Sequence, residues 1–105
     1  SENKLYTFGK NRINLETHQA ETTHGTIQLT ELEMKMLLLF FAQEGKILSR
    51  GELLQQVWGM LPETETRTLD NFIVRLRKYF EPEPIKPRYF RTIRGRGYQF
   101  IQNPD

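Results

Sequence analysis

The chain contains no cysteine, which excludes a disulfide framework and any thiolate metal site and fits a reducing compartment. It also has no long apolar run. Its richest stretch, Met36 to Ala42, is bounded by Lys35 and by Gln43–Glu44, far short of the roughly 20 residues that span a bilayer. Ser1–Glu2–Asn3–Lys4 leads straight into a short alternating segment without signal-peptide character. The expectation is a cytoplasmic protein with no membrane association. Histidine is scarce as well: His18 and His24 stand six apart among turn residues, with no acid pair beside them, and read as exposed turn residues rather than metal ligands. No serine, lysine or acid forms a recognisable catalytic constellation. An enzyme is not expected, and neither a cofactor nor a metal.

What remains is one small domain, residues 1–105, with 37% hydrophobic residues and material for a single core. The net charge is only +2, but it is unevenly spread. Residues 1–65 carry six Lys/Arg against nine acids, and residues 66–101 carry nine against three. An acidic half joined to a basic half gives the molecule a directional field.

The acidic half opens with short alternating segments over about residues 5–29: Leu5–Phe8, Arg12–Leu15, His18–Thr22 and Thr26–Leu29, separated by turns at Gly9–Asn11 and His24–Gly25. Four strands this short need helices to pack on. Helices fill about residues 30–80. Thr30-Glu31-Leu32-Glu33 is a capping box, and Leu32, Met36, Leu39 and Phe40 form a buried stripe that Leu37, Leu38 and Phe41 widen. Met34 and Met36 read as core fillers, and Gly45 as the stop. After the link Ile47–Leu48, Ser49-Arg50-Gly51-Glu52 repeats the capping box, and Leu53, Leu54, Val57 and Trp58 face inward until Gly59.

Arg67–Phe80 divides cleanly at 3.6 residues per turn. Leu69, Ile73, Leu76 and Phe80 share one face, with Phe72 at its edge, while Arg67, Asn71, Val74, Arg75 and Lys78 share the other. A helix anchored on one side and cationic on the other suits the DNA major groove. The plain alternative is a solvated surface face. The preceding helix and the loop Met60–Leu61–Pro62–Glu63–Thr64 make it the second helix of a helix-turn-helix. Glu65 suits its positive N-terminus.

Pro82, Pro84 and Pro87 then stiffen a connection into a β-hairpin over about residues 88–101: Arg88–Ile93, a turn at Arg94-Gly95-Arg96-Gly97, and Tyr98–Ile101. Residues 102–105 read as a frayed end. The turn is not a phosphate loop, because it opens a strand rather than a helix. Two arginines at an exposed tip repel one another unless a polyanion arrives, and an arginine there matches the narrow, negative minor groove. Trp58 reads as a core residue whose indole N–H could reach a phosphate. Tyr98 is open in the same way, its ring inside and its hydroxyl inside or out.

The order of these motifs carries a resemblance. The capped core helix, the Ser-x-x-Glu helix ending Val57-Trp58-Gly59, Arg67-Thr68-Leu69-Asp70, Arg75-Leu76-Arg77-Lys78, and Thr92-Ile93-Arg94-Gly95-Arg96-Gly97-Tyr98-Gln99-Phe100 together resemble the effector domain of the OmpR/PhoB family of bacterial response regulators. The likeness runs from the N-terminal strands to Phe100. It implies an α+β fold: a winged helix-turn-helix with an N-terminal four-stranded antiparallel sheet, three helices and a C-terminal β-hairpin wing. It also implies sequence-specific binding of double-stranded promoter DNA as the output step of a two-component system. By position it assigns base reading to Arg75 and minor-groove insertion to Arg94. It assigns backbone contacts to Trp58, Arg67, Thr68, Arg77 and Tyr98, with Thr92 also close to DNA.

Asn71 joins Arg75 as a base reader by its own chemistry, since an amide can pair with adenine. Lys78 on the helix face and Arg96 at the wing tip join the backbone set. Met60–Thr64 corresponds to the loop with which activating members touch RNA polymerase. A head-to-tail homodimer on DNA, and an N-terminal receiver domain outside this chain, follow from the same likeness. Asn71 and Phe72 stand where many relatives have an aliphatic residue and a histidine, and Val74 where some have arginine; these departures bear on base preference. The rival reading is a protein-docking module whose basic face meets an acidic partner.

Overall fold

The computed structural model describes residues 4–59 and 66–104. The loop expected at Met60–Thr64, Glu65 and Asp105 lie outside the described residues. Four strands, β1 (Leu5–Phe8), β2 (Asn11–Asn14), β3 (Gln19–Thr22) and β4 (Gly25–Gln28), form an antiparallel meander in sequence order. β2 and β4 each lie one residue nearer the N-terminus than the expected Arg12–Leu15 and Thr26–Leu29, and β3 starts one residue later than the expected His18–Thr22. His18, with φ 65°, sits in a turn instead of starting β3, and Leu29 is buried beyond the end of β4.

α1 (Glu31–Ala42) follows at once. The capping box is formed as expected: Thr30 Oγ1 accepts from Glu33 N–H at 3.2 Å, and Glu33 Oε1 accepts from Thr30 N–H at 2.8 Å. The buried face is rotated from the expected stripe. Glu33, Met34, Met36, Leu37 and Phe40 are buried, whereas Leu32 and Leu38 are exposed. Both long apolar flanks of the run cannot face inward at once, because residues that cover more than half a helix's circumference have no second layer to meet.

β5 (Ile47–Leu48) is more than a link. It pairs antiparallel with β7 (Gly97–Phe100), which pairs with β6 (Phe90–Ile93), so the wing is a three-stranded sheet in the order β5-β7-β6. Between β5 and the wing lie α2 (Arg50–Leu53), which continues directly into a π-helical turn (Leu54–Trp58), and α3 (Thr66–Phe80). Ser49 and Glu52 close the second capping box at 3.0 and 3.3 Å. Gly59 ends the turn in the left-handed conformation.

The core is where the two sheets and the helices meet. The rings of Phe8 and Phe100 lie edge to face at 5.1 Å, and Phe8 also touches Phe80 at 5.4 Å and Tyr89 at 5.1 Å. One strand of the N-terminal sheet is thereby fastened to α3 and to the base of the wing. The Asn11 amide adds a polar tie, donating to the Phe8 and Phe80 carbonyls at 3.1 and 3.0 Å.

Two further corrections concern the basic half. The first wing strand begins at Phe90 rather than Arg88: the buried Glu81 carboxylate accepts the N–H groups of Arg88, Tyr89 and Phe90 at 2.8–2.9 Å and holds Arg88 and Tyr89 ahead of the ladder. The expected frayed end is tied down at its start. Gln102 donates from its backbone N–H to Glu44 and from its side chain to the Thr7 carbonyl.

The wing glycines differ in what they require. Gly95 has φ 73° and open space around it, so the turn alone demands it. Gly97 is buried with φ 141°, and an added Cβ would collide with the Leu48 carbonyl of β5. Gly97→Ala is expected to cost at least about 1–3 kcal/mol, read as a lowered urea midpoint, whereas the same change at Gly25, outside the wing, leaves the β5–β7 pairing intact by amide exchange.

Candidate nucleic-acid interface

α3 presents its faces as its periodicity requires. Leu69, Phe72, Ile73, Leu76 and Phe80 are buried, while Arg67, Thr68, Asn71, Val74, Arg75 and Lys78 are exposed in a row. Arg94 and Arg96 stand exposed at the wing tip, in a turn closed by Arg96 N–H donating to the Ile93 carbonyl at 2.9 Å. Among the described residues, Arg67, Lys78, Arg94 and Arg96 have no carboxylate within ion-pairing distance. As far as the described residues go, those four charges are left to an external anion.

Arg77, Thr92, Tyr98, Trp58 and Arg75, by contrast, make contacts within the protein. Arg77 is half-buried: its Nε donates to the Phe90 carbonyl at 2.9 Å and its Nη2 to Thr92 Oγ1 at 2.7 Å. Burial lowers its pKa, but from a value so high that it stays charged. Tyr98 resolves its open alternative. Its ring is buried and its hydroxyl donates to Asp70 Oδ1 at 2.6 Å. Arg50 Nε donates to the same oxygen at 3.1 Å, and its guanidinium lies 5.2 Å from the centre of the Tyr98 ring. Asp70 on α3 therefore joins α2 to β7, and Arg77 joins α3 to β6. Helix and wing are held at one angle by two polar bridges.

Trp58 is half-buried, its ring edge-on to Phe72 at 5.1 Å and 78°. The other face of Phe72 is not left bare, since the Arg75 guanidinium lies 4.5 Å from the ring centre. Arg75 Nε also lies 3.7 Å from Glu33 Oε2. Asp70, Arg50 and Glu33 are the site residues that sequence reasoning missed. The available signal was slight: Asp70 is the sole acid of Arg67–Phe80, which marks it as a partner for a cation, but only the fold shows which one.

His18 and His24 do not approach one another, and His24 Nε2 contacts the Glu81 carbonyl at 2.7 Å. Among the described residues no group of three His, Cys, Asp or Glu could hold a metal ion, and no helix is long and apolar enough to cross a membrane.

Comparisons with known proteins place this geometry. Residues 24–100 match the family model described as transcriptional regulatory protein, C terminal. The probable transcriptional regulator ycf27 of Cyanidium caldarium is 38% identical over 99 residues, covering 90% of this chain and 40% of that protein. The sensory transduction protein RegX3 of Mycobacterium tuberculosis is 35% identical over 91 residues, covering 87% and 40%. Among solved structures, the Klebsiella pneumoniae RstA DNA-binding domain in complex with the RstA box superposes with a TM-score of 0.79 at 27% identity, over 97% of this chain and 99% of that one. The Thermotoga maritima response regulator DrrB, an OmpR/PhoB homologue, gives 0.79 at 34% identity, over 93% and 44%. The chain thus spans about two-fifths of the length of the curated relatives it matches.

The Tyr98 bridge yields a pH prediction. Burial first, and then the neighbouring Asp70, raises the Tyr98 pKa above its ordinary value of 10.0. The folded state therefore holds this proton more tightly than the unfolded chain. Its contribution is complete below about pH 10 and is lost as pH rises through the higher folded value. Tyr98→Phe is expected to cost about 1–2 kcal/mol at neutral pH and to lose stability less steeply than wild type above about pH 10, measured by urea unfolding. Tyr6 and Tyr79, whose pKa values are also raised, keep some slope in both proteins.

Proposed function

The chain belongs to the OmpR/PhoB-type family of response-regulator C-terminal transcriptional regulatory domains, and on that premise we propose that it binds promoter DNA sequence-specifically as the output domain of a two-component regulator. α3 enters the major groove and the wing tip the adjacent minor groove. The observation that carries this reading is the pairing of two cationic elements, the exposed row of α3 and the Arg94–Arg96 tip, on a seam that fixes their relative angle.

Roles divide by chemistry. Arg75 suits the two acceptors on a guanine edge, Asn71 the adenine edge, and Arg94 the narrow minor groove. Arg67, Thr68, Lys78, Arg96 and the indole N–H of Trp58 serve phosphates, which supply most of the affinity and none of the sequence information. Arg77, Thr92 and Tyr98 act from the seam, where holding the angle between helix and wing is their main contribution. The natural protein carries an N-terminal receiver domain, works in the cytoplasm, pairs head to tail on DNA and uses residues 60–64 toward RNA polymerase. These proposals rest on the family and on the share of the relatives' length that this chain covers.

Competition binding on cognate and random duplexes at two salt concentrations separates the roles. Arg75→Ala is expected to cost about 1–3 kcal/mol on the cognate site alone and relax its preference. Arg67→Ala is expected to weaken every duplex alike and to lower the salt slope by about one unit. Equal loss on cognate and random DNA for Arg75→Ala removes its base-reading role. Failure to bind any duplex at low salt, with binding to an acidic protein instead, replaces the whole reading.

A further inference from the structure

The Glu33 side chain is 1% exposed, yet it is an acid of the helix that packs behind α3. A buried carboxylate is costly unless every oxygen is compensated. Oε1 is used locally, accepting the Thr30 N–H of the capping box. That duty explains neither the burial nor the second oxygen. Glu52 performs the same capping at the start of α2 while exposed to solvent, and a glutamine would serve equally. Oε2 is directed elsewhere: it accepts the Tyr79 hydroxyl at 2.9 Å and faces Arg75 Nε at 3.7 Å, so both of its partners are side chains of α3.

Arg75 is the residue on which base reading was placed above, and a long arginine side chain at a surface ordinarily samples many rotamers. Here the guanidinium is held on two sides, by the face of Phe72 at 4.5 Å and by the Glu33 carboxylate. The contact is made through Nε, the nitrogen nearest the chain, while a guanine edge is gripped bidentately by the terminal nitrogens. At 3.7 Å the pair is electrostatic rather than a hydrogen bond, so it orients the fork without consuming it. Tyr79 in turn holds the carboxylate in place. The arrangement is that of a buried acid preorganising a surface reader.

We propose that Glu33 is a positioning residue for base recognition, fixing the Arg75 guanidinium through Nε and so sharpening the selection of a two-acceptor base edge by α3. This rests on the reading of α3 as the groove-entering helix. It makes an unusual demand on a core residue. Removing its charge should lower discrimination without lowering general affinity, because an acid near the interface repels phosphates even as it orders the arginine.

The test is selection from a random duplex pool by wild type, Glu33→Gln, Arg75→Ala and the double variant, with the melting temperature of each measured without DNA. Glu33→Gln keeps an acceptor for the capping N–H, removes the charge and turns the oxygen that faces Tyr79 and Arg75 into an NH2 group. It is expected to lose about two- to tenfold of the preference at the same base-pair position that Arg75→Ala loses. Binding to unselected duplexes should be unchanged or tighter, and the double variant no worse than Arg75→Ala. Retention of full preference by Glu33→Gln where Arg75→Ala loses it overturns the role of Glu33 alone. So does an equal weakening on all duplexes, which marks a structural residue. If Arg75→Ala shifts no position, the base-reading role of Arg75 has failed and the positioning role with it. Should Glu33→Gln not fold, exchange of the Arg75 Nε–H with water in the DNA-free wild type decides the matter. Slower exchange than at the exposed Arg67 supports the pair, and equal exchange overturns it.

Discussion

One oxygen of Asp70 accepts the Tyr98 hydroxyl at 2.6 Å and the Arg50 guanidinium at 3.1 Å, and the functional geometry of the domain depends on that junction. Without it α3 and the wing would be joined only by the Arg77 bridge and by apolar contacts, which resist separation but hardly resist rotation, since burial is nondirectional. Hydrogen bonds have direction. Two bridges from α3 to the wing, Asp70 to the Tyr98 hydroxyl near the tip and Arg77 to the Phe90 carbonyl at the base, turn a packed arrangement into an angle. On the reading proposed for α3 and the wing, two elements entering adjacent grooves of one duplex need a fixed angle.

The same logic recurs at two buried acids, Glu81 and Glu33. Glu81 gathers three successive backbone N–H groups and so delivers the chain from the end of α3 into the wing after a proline-rich connection. Glu33 ties the start of α1 to two side chains of α3. Both carboxylates are used to hold positive or N–H- and O–H-bearing groups in place. Buried carboxylates are expensive, and each of these is compensated at both oxygens or by several donors. Their gain is specificity of arrangement rather than bulk stability, which the phenylalanine cluster around Phe8 supplies.

The arginines around α3 and the wing thereby fall into three groups that look alike in the chain. Arg67, Arg94 and Arg96 stand exposed with no carboxylate in reach among the described residues. Arg50 and Arg77 have committed their guanidinium groups to the seam. Arg75 lies between these cases, half-exposed yet braced by Phe72 and Glu33. A surface that steers an anion requires the first group, and a surface that reads it requires the third.

Much was legible in the chain. Both capping boxes, the two faces of Arg67–Phe80, the four short strands and the arginine-tipped hairpin follow from local rules that operate over three or four residues, and sequence shows such rules directly. The motif order then identified the family. Rotation of the α1 face, with Leu38 exposed and Glu33 buried, was not legible, because α1 is apolar nearly all round and only its neighbours choose the side that stays wet. Nor was the pairing of Ile47–Leu48 with the wing, a contact across about half the chain. Arg67–Phe80 by itself determined a helix with one greasy and one cationic side. Which of its cations face outward freely, which one is braced and which is spent on the wing was decided by tertiary structure alone, since partners such as Glu33, Phe90 and Tyr98 are brought within reach only when the sheets close around the core.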